Sequence, residues 1–283
     1  MGGLVTGPQD GAGTLYVVST PIGNMGDFSF RAVETLRDVS AVLAEDTRHT
    51  VHLLQRYGVA TPLVPYHEHN EAKATPGLVS RLLAGESLAL VSDAGTPLLS
   101  DPGARLVRAA IDAGIRVAPV PGASALLSAL VAAGLDAERF TFYGFLARRG
   151  KERGAVVAEI AGLRHTAVLY EAPARVADTL AELATASAGE RPAAVCRELT
   201  KQFEEVRRGT LGELAAYYDD VPPRGEVVIV VAGAVAPQGA SEEALRARAA
   251  ELRAEGRSAR DVAATLVAEL GAARNLAYRI ATE

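Results

Sequence analysis

Three loops rich in glycine, proline and small polar residues, at 21–26, 93–103 and 121–124, each follow a short apolar run in this 283-residue chain. A strand that ends in such a loop and resumes in an amphipathic helix is the building unit of a layered α/β protein. In open α/β sheets the ligand sits outside the carboxyl ends of the strands. Three loops gathered there predict a small-molecule cleft, and their small residues let backbone approach a ligand closely. Taken singly, each loop also fits a plain tight βα turn. No G-x-G-x-x-G follows the first run, and no G-x-x-x-x-G-K-S/T occurs anywhere. That argues against NAD and ATP enzymes.

The alternation extends over residues 14–234 and divides them into two lobes. Residues 14–121 read as an N-terminal α/β lobe with a mostly parallel sheet. In it Ser29 caps a first helix, Glu45 and Asp46 end the second strand, and a helix at 71–83 is interrupted early by Pro76. Pro121 and Gly122 break the chain, and residues 122–234 read as a C-terminal lobe. Two adjacent β segments joined by a turn around 197–203, the second of them at 203–208, predict antiparallel pairing there and hence a mixed sheet. After residue 241 only helical patterns remain. Ser258 with Asp261 forms a capping-box-like start, so 241–283 reads as a small helix-turn-helix-like tail. Seven arginines face seven acids in it. The tail is neutral and suits either packing or RNA contact. Residues 1–13 are Gly-rich, lack the features of a signal peptide and are expected to form a flexible leader.

Composition narrows the class further. The longest apolar runs, such as 123–133, fall short of the roughly 20 residues of a membrane span, so no membrane association is expected. Cys196 is the sole cysteine, which excludes an intrachain disulfide and points to a reducing, cytoplasmic setting. A formal charge of -5 leans against a general nucleic-acid binder. Of 29 basic residues only Lys73, Lys151 and Lys201 are lysines. The positive charge is therefore almost all guanidinium, suited to bidentate contacts.

Several side chains could carry chemistry. Glu45 and Asp46 precede a helix whose N-terminal amides favour negative charge, with Arg48 beside them to steer a carboxylate or bind a phosphate; plain helix capping explains the same pattern. His67 with His69, and His49 with His52, could each offer two metal ligands, but no third is identifiable, so no metal is expected. Cys196 lacks an activating partner and reads as a buried thiol. Tyr170 and Glu171, followed by Arg175, and the stretch from Arg197 through Glu198 to Lys201 put opposite charges at strand ends. Arg148, Arg149, Lys151 and Arg153 form a basic run able to contact phosphates.

Taken in order, the motifs become specific: Thr20-Pro21-Ile22-Gly23-Asn24, Ala44-Glu45-Asp46-Thr47-Arg48, Tyr66-His67-Glu68-His69-Asn70, Val91-Ser92-Asp93-Ala94-Gly95-Thr96-Pro97, Ser100-Asp101-Pro102-Gly103, Val120-Pro121-Gly122-Ala123-Ser124-Ala125, Tyr170-Glu171-Ala172-Pro173 and Arg197-Glu198-Leu199-Thr200-Lys201. This succession resembles the ribosomal RNA small-subunit methyltransferase I family of the tetrapyrrole-methylase, class III S-adenosylmethionine methyltransferases. The resemblance covers residues 14–234, and the tail is similar to the family's C-terminal appendage. It implies a two-lobed α/β protein, a homodimer, with S-adenosylmethionine in the interlobe cleft. It also implies methyl transfer to the ribose 2′-oxygen of a cytidine in the decoding region of 16S rRNA, naked or within the small ribosomal subunit, leaving S-adenosylhomocysteine. Carried over by motif, the cofactor is held by Pro21, by Asp93, Ala94, Gly95, Thr96, Pro97 and Leu99, by Ala123, Ser124 and Ala125, and near Tyr170 and Glu171.

The donor is activated by its own charge, so such a protein must chiefly align oxygen, methyl carbon and sulfur. A protonated hydroxyl is a poor nucleophile, which makes Glu45 and Asp46 candidate bases and Arg48 and Lys201 candidate stabilisers of a developing alkoxide. Arg148, Arg149 and Lys151 are the expected RNA contacts. Two other functions fit the same motifs less fully: a tetrapyrrole methyltransferase of the same superfamily, and a non-catalytic RNA- or ribosome-binding module.

Overall fold

The computed structural model describes residues 11–187, 189–234 and 240–283. The first ten residues of the expected leader lie outside that range. Gly13 is tied down: its N–H donates to the Leu82 carbonyl at 2.8 Å.

Five strands, β1 (Thr14–Val18), β2 (Ala41–Ala44), β3 (Leu63–Pro65), β4 (Leu88–Val91) and β5 (Arg116–Val120), form a sheet of order β3-β2-β4-β1-β5. All its pairings are parallel, so all its carboxyl ends lie along one edge. β2 and β4 are buried at every position, because helices cover both faces and give the strands an unbroken apolar run. Val42 and Ala44 face α1 (Phe30–Asp38) and α2 (Thr47–Arg56), while Ala41 and Leu43 face α3 (Glu71–Leu83) and α4 (Ala104–Asp112). Ser29 caps α1 by accepting from the Ala32 N–H at 3.1 Å. Contrary to the sequence expectation, α3 runs unbroken through Pro76. Leu78 and Leu82, buried in the core beyond it, hold the helix together across the lost hydrogen bond.

α5 (Ala125–Ala133) leads into the second sheet, β6 (Phe140–Phe145), β7 (Thr166–Glu171), β8 (Pro192–Arg197), β9 (Glu205–Thr210) and β10 (Val227–Val231), of order β6-β7-β10-β8-β9. It is mixed, as the sequence predicts: β6 and β7 are parallel, whereas β7, β10, β8 and β9 pair antiparallel in turn. β9 begins two residues later than expected because the preceding residues make the turn, where Lys201 N–H donates to the Glu198 carbonyl and Thr200 N–H to the Glu204 carboxylate. α5 covers one face of this sheet, with Leu126, Ala129 and Leu130 on Val168, Cys196 and Val228. The other face packs on α6 (Lys151–Gly162), α7 (Val176–Ala186) and α8 (Leu211–Asp220), the last opened by a capping box of Thr210 and Glu213.

The chain divides after Gly233 into two compact units. The second holds α9 (Glu242–Ala254), α10 (Ala259–Leu270) and α11 (Arg274–Thr282) around its own core of Leu245, Leu252, Val262, Leu266 and Ile280. Ser258 caps α10 and donates its hydroxyl to Asp261 at 2.7 Å. No described helix is long and apolar enough to cross a membrane.

Candidate active site

The three small-residue loops meet at the carboxyl edge of the first sheet and are bonded to one another. Thr20 and Gly95 exchange both backbone hydrogen bonds, at 2.8 and 3.1 Å. Thr20 Oγ1 donates to the Ser92 carbonyl, Ser19 Oγ lies 2.9 Å from Thr96 Oγ1, and Thr96 Oγ1 donates to the Ala123 carbonyl at 3.3 Å. The hydroxyl of Thr96 thus ties the central loop to the other two. Within the central loop Leu98 and Ser100 have φ of 76° and 72°, a left-handed conformation that costs a non-glycine residue about 1–3 kcal/mol. Glu198 and Thr200, in the facing turn of the second lobe, share that feature at 51° and 66°. Strain of this kind collects where a loop is shaped for a ligand rather than for its own stability.

Between the loops and the second sheet lies a cavity of about 400 Å³, within the range of small-molecule sites. Of the residues expected to hold a cofactor, Ala94, Gly95, Thr96, Leu99, Ser124, Ala125, Tyr170 and Glu171 line it. The other four stand behind them. Pro21 and Pro97 are buried, Ala123 gives its carbonyl to Thr96, and Asp93 accepts from the Asp46 N–H at 3.1 Å. The side chain of Glu171 is fully buried among its own partners. It accepts from Thr179 Oγ1 at 2.6 Å and from the Ala172 N–H, and lies 3.4 Å from Arg175 and 4.0 Å from Arg153.

Arg153 belongs to the basic run as sequence but not as surface. It is buried and bonded to Glu182, Thr179 and the Ala147 carbonyl, which corrects the expectation that it contacts phosphate. Arg148, Arg149 and Lys151 are exposed.

Of the expected catalytic group, Asp46 caps α2. It accepts from the Arg48 N–H and pairs with the exposed Arg48 guanidinium at 2.6 Å; these bonds hold its carboxyl well below the usual carboxylate range. Glu45 is half-buried, and burial together with the nearby Asp101 and Asp93 charges raises its pKa. Lys201 Nζ pairs with Glu198 at 2.9 Å and with Glu226, a cavity residue, at 3.2 Å. Burial lowers its pKa, but the two carboxylates outweigh that and raise it overall. Neither histidine pair gathers a third ligating side chain among the described residues. Cys196 is buried, and burial pushes its thiol up to about 11.

Sequence reading missed Ile22, Phe145, Asp101 and the stretch Gly225 to Val228, all of which line the cavity. Gly225 and Glu226 precede β10, a strand antiparallel to both neighbours, so its amino end falls on the edge where β7 and β8 have their carboxyl ends. The signal was the Pro222-Pro223-Arg224-Gly225 break before an apolar run. Gly225, at φ 82°, leaves no room for a Cβ, which would stand 2.6 Å from Glu198 Cγ.

Comparison with known proteins is decisive. Residues 14–215 match the family described as Tetrapyrrole (Corrin/Porphyrin) Methylases. The Ribosomal RNA small subunit methyltransferase I of Synechocystis sp. is 45% identical, the match covering 96% of this chain and 98% of that protein. That of Pseudomonas aeruginosa is 47% identical, with the same coverage. This chain belongs to the ribosomal RNA small subunit methyltransferase I family. Among solved structures, the uroporphyrin-III C-methyltransferase of Thermus thermophilus complexed with S-adenosyl homocysteine matches with a TM-score of 0.55 at 19% identity, over 78% of this chain and 97% of that one. Diphthine synthase matches with a TM-score of 0.58 at 16% identity, over 77% and 89%. Methyltransferase I members thus share their two-sheet fold with enzymes of other names, and in this one the loop set 93–103 with 121–125 frames the cavity.

Proposed function

We propose that this chain is an S-adenosylmethionine-dependent methyltransferase of small-subunit ribosomal RNA, acting on the ribose 2′-oxygen of a cytidine in the decoding region of 16S rRNA. The observation that carries the substrate class is the match of 45–47% identity over nearly the whole of two relatives named for that RNA. The similarity to a uroporphyrin-III methyltransferase, at 19% identity, extends to the fold alone.

The cavity fits the methyl donor. Ile22, Leu99, Phe145, Tyr170 and Val228 offer apolar and aromatic walls for a purine. Ala94, Gly95, Ala125 and Ala172 let backbone come close, and Glu226 offers negative charge to a sulfonium or an ammonium. When bound, the donor supplies a methyl group already activated by positive charge. The protein's own part is to shape the donor's site through the bonded loops, to admit one ribose, and to deal with its hydroxyl proton. Arg148, Arg149 and Lys151, exposed beside β6, supply charge for phosphates next to the target. A homodimer in the cytoplasm belongs to the same reading. Leu127 and Val131 of α5, 52% and 79% exposed, favour an apolar self-contact; sedimentation of the purified protein checks it.

The test is mass mapping of 16S rRNA from cells lacking the protein, before and after incubation with the purified enzyme and S-adenosylmethionine. A methyl group gained on one cytidine ribose is the expected result. An unchanged ribose rejects the substrate, and absence of cofactor binding in calorimetry rejects the enzyme.

A further inference from the structure

Among the described residues seven carboxylates stand in or beside the cavity, and five of them are held by ion pairs or by backbone N–H groups. Glu171 is enclosed by Thr179, Arg153 and Arg175. Glu226 pairs with Lys201, and Glu198 with the same ammonium. Asp46 caps a helix and pairs with Arg48, and Asp93 accepts from backbone. That leaves Glu45 and Asp101, of which Asp101 lines the cavity. Among the described residues it is also the cavity carboxylate that no lysine or arginine pairs. It directly follows the left-handed Leu98 and Ser100, in a segment, 99–101, that lines the cavity together with Tyr170 and Glu226.

We propose that Asp101 is the general base for methyl transfer, accepting the proton of the ribose 2′-hydroxyl as that oxygen attacks. The assignment rests on the ribose reading above. The bond from O2′ to the methyl carbon forms while the carbon–sulfur bond breaks, and the released electron pair stays on sulfur, which becomes neutral. The hydroxyl proton passes to the Asp101 carboxylate and from there to water, since the residue is half-buried rather than sealed.

The surroundings suit the role. Groups facing Asp101 are Ser92 and Asp93 at the end of β4, Glu45 at the end of β2, and Tyr170 on β7. Burial first, then the Asp93 charge, push the Asp101 carboxyl up to about 6, against a lowering bond from Ser92. A base with a pKa just below the working pH is mostly ionised yet accepts a proton far more readily than an ordinary aspartate. Asp46, held strongly acidic, lacks that property.

The test compares Asp101→Asn and Asp101→Glu with the unaltered enzyme in single-turnover methylation across pH 5–9, with cofactor binding measured by calorimetry and carboxyl titration followed by carbon-13 NMR. The NMR readout should show one carboxyl titrating near pH 6 that vanishes in Asp101→Asn. That variant should bind S-adenosylmethionine within about threefold of normal, lose at least 100-fold in rate, and lose the rise in rate through pH 6. Asp101→Glu should regain part of the rate. If the unaltered enzyme methylates the ribose while Asp101→Asn keeps its rate and pH profile, the base assignment is overturned and the ribose reading stands. If the loss in Asp101→Asn is entirely a loss of cofactor affinity, Asp101 is a cofactor ligand and the proposal fails. If the unaltered enzyme does not modify ribose, it is the ribose reading that has failed.

Discussion

Lys201 lies across the bare α-carbon of Gly23: a methyl group on residue 23 would overlap Lys201 Cγ and stand 2.8 Å from its Cε. The contact joins the first loop of the parallel sheet to the turn between β8 and β9, and it fixes the stem whose ammonium bridges Glu198 and Glu226. Gly23 also has φ of 155°, at the border of the region that L side chains avoid.

Gly23→Ala should therefore act through Lys201 as well as through its own backbone. A destabilisation of about 1–3 kcal/mol is expected from overpacking of this kind, together with slower methyl transfer as the ammonium leaves its two carboxylates. Adding Lys201→Ala removes the overlap, so the double variant should be more stable than the sum of the single changes predicts. A double-mutant cycle by urea denaturation reads this directly. Strict additivity would mean that Lys201 does not rest on Gly23.

The buried polar group around Glu171 makes a second prediction. Thr179 accepts from Arg153 and donates to Glu171, so each charge has a hydrogen-bonded partner. Glu171→Ala leaves the Thr179 hydroxyl and the Ala172 N–H without their buried acceptor, while Arg153 keeps Glu182, and should destabilise by about 1–3 kcal/mol. Arg175 instead donates to the carbonyls of Leu146 and Ala147, where the basic loop begins. Arg175→Ala should speed hydrogen exchange around residues 146–150 and lower RNA affinity while leaving cofactor binding unchanged. Unaltered exchange there would show that the loop holds its position without Arg175.

The loops at 21–26, 93–103 and 121–124 were legible in the sequence because each combines a strand, small residues and a helix start, and local chemistry decides all three. What escaped was decided by pairing. Gly225 and Glu226 reach the cavity because β10 runs against its neighbours, and no local signal states a strand's direction. Arg153 looked like surface charge beside Lys151, yet it lies on the buried face of α6, where Glu171 and Glu182 receive it. Asp101 lies within Ser100-Asp101-Pro102-Gly103, but that no lysine or arginine among the described residues pairs with it is a property of the folded chain.

The exposed part of the basic run gives a third prediction. Each cation that neutralises a phosphate contributes roughly 0.7 to the slope of affinity against salt on single-stranded nucleic acid. Replacing Arg148, Arg149 and Lys151 together by alanine should thus reduce the magnitude of that slope by about 2 in RNA-binding titrations. Stability should change little, since all three are solvent-exposed. A slope equal to that of the unaltered protein would remove this loop from the RNA contacts.

The raised carboxyl of Asp101 also makes stability depend on pH in a direction opposite to most aspartates. Its pKa moves from the ordinary 3.8 to about 6 on folding, so between those values the native state binds more protons than the unfolded one. Stability from this group is greatest below pH 4, falls as pH rises toward 6, and stays reduced above that. Asp101→Asn keeps a neutral side chain at every pH and should be neutral or slightly harmful at pH 4. At pH 7–8 it should be stabilising. A shift of this size corresponds to at most about 3 kcal/mol, and partial exposure with the loss of an ideal partner for Ser92 brings the expected gain down to about 1–2 kcal/mol. Urea denaturation at pH 4 and pH 7.5 checks the sign. A variant that gains nothing on going from the lower pH to the higher would show that the carboxylate is not held at a penalty in the cavity wall.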